Sequence, residues 1–90
     1  MARRLHFLPG MPCVLRVGPY RFRFFSSDRT ELPHVHVVRD GQVAKFWLKP
    51  VSEASNHGFR RHEVDRIPRL VVEYETDLIE AWYDFFGIEK

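Results

Sequence analysis

An α+β fold is what this sequence predicts: a small antiparallel sheet of about four strands in two hairpins, followed by a short helix and a long C-terminal amphipathic helix. Gly18-Pro19 and Asp40-Gly41 each separate two runs rich in β-branched and aromatic residues, the local signature of a hairpin. From Arg60 onward, Val64, Ile67, Val71, Tyr74, Leu78, Trp82 and Phe85 recur every three or four positions, which lines one face of a helix. Ninety residues suit one domain, and 44% hydrophobic with 14% aromatic content, including eight Phe and two Trp, is enough for a core filled largely by rings.

Residues 1–10 read as an N-terminal extension and 11–90 as the single α+β domain, because patterning starts only after Gly10, with Met11-Pro12 just ahead of it. Met11 is a candidate alternative start. The apolar stretch of residues 1–10 is broken by His6 and ended by Pro9, short of a secretory h-region. No window approaches the roughly 20 apolar residues that span a bilayer. The single cysteine, Cys13, has no internal partner for a disulfide, which fits a reducing compartment. The expectation is a soluble cytoplasmic protein with no membrane contact.

The first strand is Cys13 to Val17 and the second Tyr20 to Phe25. Side chains alternate along a strand, so Tyr20, Phe22 and Phe24 share a buried face while Arg21 and Arg23 share the other. Residues 26–33 are polar and read as a surface loop. Next, His34 to Arg39 and Gln42 to Leu48 flank Asp40-Gly41, for which a type I′ turn is expected. That turn sets the register. Arg39 pairs with Gln42, Val38 with Val43, Val37 with Ala44, His36 with Lys45, Val35 with Phe46 and His34 with Trp47. Val35, Val37, Ala44, Phe46 and Leu48 then face the core. His34, His36, Lys45, Trp47, Val38 and Val43 form the second face, joined by Arg21 and Arg23 if the hairpins share a sheet.

Pro50 opens a short helical turn through Ala54, which Asn56-His57-Gly58 closes with Gly58 as the C′ residue. In the long helix Pro68 either kinks the pattern or moves its start to Ile67, because proline lacks a backbone donor. Glu73, Asp77, Glu80 and Asp84 give that helix an acidic outer stripe. Charge is unevenly divided. Residues 1–50 carry nine Lys and Arg against three Asp and Glu, and residues 51–90 five against nine. The sheet half is therefore basic, as a phosphate-binding surface needs, or simply complementary to the acidic half.

Several ordered motifs resemble the bacterial family called domain of unknown function 4160. They are Met-Pro-x-Val-Leu-Arg-x-Gly at 11–18, Tyr-Arg-Phe at 20–22, Pro-His-Val-His-Val at 33–37, Ala-Lys-Phe-Trp-Leu at 44–48, Asn-His-Gly-Phe at 56–59 and Glu-Ala-Trp at 80–82. The likeness runs from Met11 to about Gly87. It implies a small bacterial protein, often encoded beside another small protein in a pair that looks like a toxin–antitoxin or regulatory cassette. A partner protein from an adjacent gene is thus expected. The chain departs from the family pattern at Lys49, Glu53, Arg60 and Pro68. Arg60 stands where a Ser begins a capping box with Glu63, so a helix N-cap worth about 1 kcal/mol is expected to be missing.

Three chemistries suit the second face. His34 and His36 place two imidazoles on one side, with Cα atoms about 7 Å apart, as a general base and acid on an RNA phosphodiester with Lys45 or Arg21 steadying the transition-state charge. In that reading His57, presented by its loop, is a further catalytic candidate. The protein is then a toxin-like, metal-independent endoribonuclease without a cofactor, and Arg21, Arg23, Lys45 and Trp47 bind RNA by phosphate contacts and base stacking. The alternative is a non-enzymatic antitoxin-like or regulatory module that docks a partner protein. A second alternative is a metal site from His34, His36 and His57, the least supported of the three. Each residue also has a plain structural reading, with histidines hydrogen-bonded in the fold, Trp47 covering the sheet end and Lys45 solvated. No phosphate loop, dinucleotide fingerprint or nucleophile elbow is present. Oligomeric state is left open.

Overall fold

The computed structural model describes residues 13–87. The N-terminal extension, Met11 and His6 lie outside the described residues. Five strands come first, β1 (Cys13–Val17), β2 (Tyr20–Arg23), β3 (His34–Arg39), β4 (Gln42–Leu48) and β5 (Val51–His57), and two helices follow, α1 (Arg61–Glu73) and α2 (Glu75–Phe86). The strands form one antiparallel sheet in the order β1-β2-β3-β4-β5. Each strand thus lies beside its neighbour in sequence.

Both expected hairpins form. Gly18 (φ 55°) supplies the left-handed turn residue ahead of Pro19. The β3–β4 register runs from Arg39 opposite Gln42 to His34 opposite Trp47, pair for pair as alternation requires. The positive φ that a type I′ turn asks of both central residues is found at Asp40 (φ 54°) and not at Gly41. Register survives because the β-branched and aromatic rows, not the turn alone, choose which face is buried.

Among the described residues the strand count is five rather than four. Residues 51–57, expected as a short helix, are instead β5, an edge strand against β4. Valine, serine, asparagine and histidine favour a helix only weakly, and without β5 the outer backbone groups of β4 would be unpaired. Gly58 (φ 103°) follows this strand rather than a helix. The C-terminal helix is also divided. It starts at Arg61, runs through Pro68 and breaks at Tyr74 (φ −103°, ψ 14°), where α2 takes over. Arg60 makes no side-chain cap, as its departure from the capping box implies.

One face of the sheet is covered by the helices. Tyr20, Phe22, Phe24, Val35, Val37, Ala44, Phe46 and Leu48 are buried against Ile67, Val71, Leu78, Ala81, Trp82 and Phe86. The rings of Phe24 and Trp82 meet edge to face at 5.3 Å, and Trp82 meets Phe86 at 4.5 Å. Burial of a large ring stabilises by roughly 1.5–3 kcal/mol, so this aromatic group anchors α2 to the sheet.

Candidate functional site

Strand pairing places Arg23 opposite His36 and Arg21 opposite Val38, and Arg16 opposite Arg21. The second face therefore carries Arg16, Arg21, Arg23, His36 and Lys45 side by side across β1 to β4. Trp47 and His34 lie at its end. Arg16 was not anticipated there, although the first hairpin's turn was already enough to place it beside Arg21.

This face is not bare. Residues 26–30 form a 3₁₀ turn that lies over the histidine end and turns the Asp28 carboxylate inward. Asp28 is buried and its Oδ2 accepts the Phe25 backbone N–H at 2.9 Å. The Phe25 ring lies 4.6 Å from that of His36. His34 is fully enclosed, at 0% exposure, with Trp47 at 5.5 Å and Trp82 at 5.1 Å between ring centroids. The two imidazoles thus share a side, 5.2 Å apart, but His34 points into a wall of protein rather than outward as a bare strand would present it. Sequence reading saw the alternation and missed the cover, because a polar turn-forming segment carries no signal for the surface it will rest on.

The electrostatics of the cluster follow from this enclosure. His34 Nδ1 donates to the Leu32 carbonyl at 2.9 Å, so in the neutral ring it is Nε2 that carries the lone pair. That Nε2 lies 3.2 Å from Asp28 Oδ2, and His36 Nδ1 lies 3.7 Å from the same oxygen. Neither nitrogen has a hydrogen-bond partner. Burial pushes the His36 imidazole below its usual pKa; the Asp28 charge works against that shift, and His34 and Lys45 add to it. His36 is thereby kept neutral over a wider pH range.

Lys45 donates to Glu31 at 2.6 Å and lies 4.6 Å from the Trp47 ring centroid, a cation–π contact. The Lys45 hydrogen bond holds the Glu31 carboxyl below its ordinary pKa. Among the described residues no carboxylate pairs with Arg16, Arg21 or Arg23. The Nε atoms of Arg21 and Arg23 are buried and unpartnered. His57 stands apart. It is exposed on edge strand β5 opposite Val43, while the Asn56 side chain closes the turn by accepting the Phe59 N–H at 3.2 Å. The structure does not bring it to His34 and His36. The third side chain there is Asp28.

Beside Trp47 lies a groove of about 500 Å³ lined by Trp47, Pro33, Pro50, Tyr83, Leu32 and Lys49. A second polar group lies on the opposite, helix-covered side. Glu63 is buried and accepts from Tyr20 Oη at 3.0 Å and Arg39 Nη1 at 2.6 Å. Burial raises its pKa, but these two hydrogen bonds with the Arg39 charge outweigh it, so the carboxyl sits below its usual value. Alternation already placed Arg39 on the core side with Val35 and Val37, and that was the available clue to its buried partner.

No helix among the described residues is long and apolar enough to cross a membrane. No curated protein and no solved structure matches the chain. The family model described as Domain of unknown function (DUF4160) matches residues 20–83, from the first residue of β2 into α2, and on that match the chain belongs to this family.

Proposed function

We propose that the protein is an RNA-binding module that holds the phosphate backbone on the arginine row of its sheet. The observation that carries this reading is the row itself. Arg16, Arg21 and Arg23 stand on adjacent strands with no acidic partner among the described residues, and two of their Nε atoms are buried and unpaired. Like charges placed directly across a strand pair destabilise a sheet, and an anion seated over them reverses that cost. Guanidinium groups suit phosphate through their forked donors. Trp47 and Tyr83, beside Lys49, offer rings on which a base stacks. Catalysis by a His34 and His36 acid–base pair is not part of the proposal, since the enclosed ring of His34 has no route to a phosphodiester.

The test is fluorescence anisotropy with a labelled single-stranded RNA across a salt series. Affinity is expected to fall with salt at a slope of about −0.7 per phosphate neutralised. Arg21→Gln/Arg23→Gln is expected to lower both affinity and slope, and Arg66→Gln/Arg69→Gln on α1 to change neither. Binding insensitive to salt, or equal losses in the two variants, would overturn the proposal.

A second reading, a non-enzymatic module that docks a small partner protein in a toxin–antitoxin-type pair in the cytoplasm, is favoured by the apolar groove and by Leu32 in its lining, 75% exposed. Co-expression with the neighbouring gene followed by co-purification tests it. A Leu32→Asp change that leaves the complex intact would count against this groove.

A further inference from the structure

Asp28 meets two histidines whose facing nitrogens have no hydrogen-bond partner. Asp28 Oδ2 already accepts the Phe25 N–H. His34 has spent its Nδ1 proton on the Leu32 carbonyl, so in the neutral ring Nε2 is an acceptor. With that ring neutral, a lone pair and a carboxylate oxygen face each other at 3.2 Å, and the His36 Nδ1 approaches that oxygen at 3.7 Å with no partner of its own. Two acceptors at such a distance repel unless a cation lies between them.

We propose that Asp28 Oδ2, His34 Nε2 and His36 Nδ1 bind a divalent first-row transition cation, with zinc the best match. The three donor atoms lie within 4.8 Å of one another. A tetrahedral zinc with bonds of about 2.0–2.1 Å separates its ligands by about 3.3 Å, so the two measured approaches to Oδ2 fall on either side of that spacing. Two imidazoles and one carboxylate are borderline donors that suit zinc, cobalt or iron(II). Calcium and magnesium take shells of oxygen.

The supporting shell is also in place. The Leu32 carbonyl fixes the His34 tautomer and ring angle, as carbonyls behind metal-bound histidines do. Trp47 and Trp82 brace that ring, and Phe25 lies against the ring of His36. Three protein ligands leave a further position for water or a small ligand. The bound cation ties the 3₁₀ turn to β3 and thereby holds the cover on the sheet. His57, exposed on β5 beyond Val43, takes no part.

The rival occupant of this space is a proton, with His34 as imidazolium against Asp28. Metal titration of the full-length, chelator-stripped protein separates the two. Expected are binding of about one equivalent of Co²⁺ with a visible d–d absorption band, its displacement by Zn²⁺, and a rise in melting temperature with either ion because binding favours the folded state. Asp28→Asn and His36→Ala should each weaken affinity by at least about tenfold. His36→Cys should restore binding and add a sulfur-to-cobalt charge-transfer band, which separates ligation from mere folding. The triple variant His6→Ala/His57→Ala/His62→Ala should bind as the parent does. Folded parent protein that takes up no Co²⁺ or Zn²⁺, affinity unchanged in both Asp28→Asn and His36→Ala, or binding lost in the triple variant would each overturn the proposal.

Discussion

The two faces of the sheet treat polarity in opposite ways. On the helix-covered face almost everything is apolar, and the buried carboxylate there, Glu63, is bonded by both Tyr20 and Arg39. On the other face lie all four buried side-chain nitrogens that lack a partner among the described residues, those of Arg21, Arg23, His34 and His36. A buried polar atom left unpaired costs about 1–3 kcal/mol, so one side of the sheet satisfies its buried carboxylate within the fold while the other leaves buried nitrogens unsatisfied. Charge follows the same division, with the arginine row on the side facing away from α1 and α2.

The largest effect that sharpens this comparison is on the covered face. Phe24 is fully buried against Trp82, Phe85 and Phe86, and Phe24→Ala should cost about 3–5 kcal/mol by urea denaturation. A loss below 1 kcal/mol would mean that α2 is not seated on the sheet as described.

Next in size is the pH dependence contributed by Glu63. Its folded pKa is depressed, so its stabilisation is fully present above the unfolded carboxylate value, about 4.3, and is lost as pH falls through the folded value. Glu63→Gln should lower the denaturation midpoint at neutral pH and flatten the decline in acid. A parallel decline in parent and variant would remove the carboxylate from the account.

On the opposite face the titrating group is His36, and the window moves. Its folded pKa also lies below the ordinary value, chiefly through burial, so the unfolded chain takes up the proton first. Stability from keeping it neutral is present above about pH 6.5 and falls as pH drops from there toward the folded value. His36→Gln should remove that slope, read from denaturation midpoints between pH 7.5 and 5. If the metal site holds, added Zn²⁺ should steepen the slope in the parent only, because protons compete for the imidazole.

The smallest effect lies in the arginine row. Arg21→Thr removes one of two guanidinium groups paired across β1 and β2 and should raise stability by about 0.5 kcal/mol, while weakening RNA binding. A variant that lost stability would show the arginine serving the fold rather than a ligand.

Taken by itself the chain determined what depends on neighbours along it. Two turns and period-two alternation settled β1 to β4, the β3–β4 register and the common side of His34, His36 and Lys45, whereas the pairing of β2 with β3 brought Arg21 and Arg23 to that side. The three-to-four spacing settled the buried stripe through Ile67, Val71, Leu78 and Trp82. Only the tertiary structure decided that residues 51–57 pair as β5, that the helix breaks at Tyr74 and not at Pro68, that Glu63 leaves its helix end for Tyr20 and Arg39, and that Asp28 closes over the two histidines. The reason is one of range. Alternation and helical period are written into adjacent residues, whereas an edge strand, a buried ion and the cover on a face are chosen by free-energy differences between segments that meet only after the chain has folded.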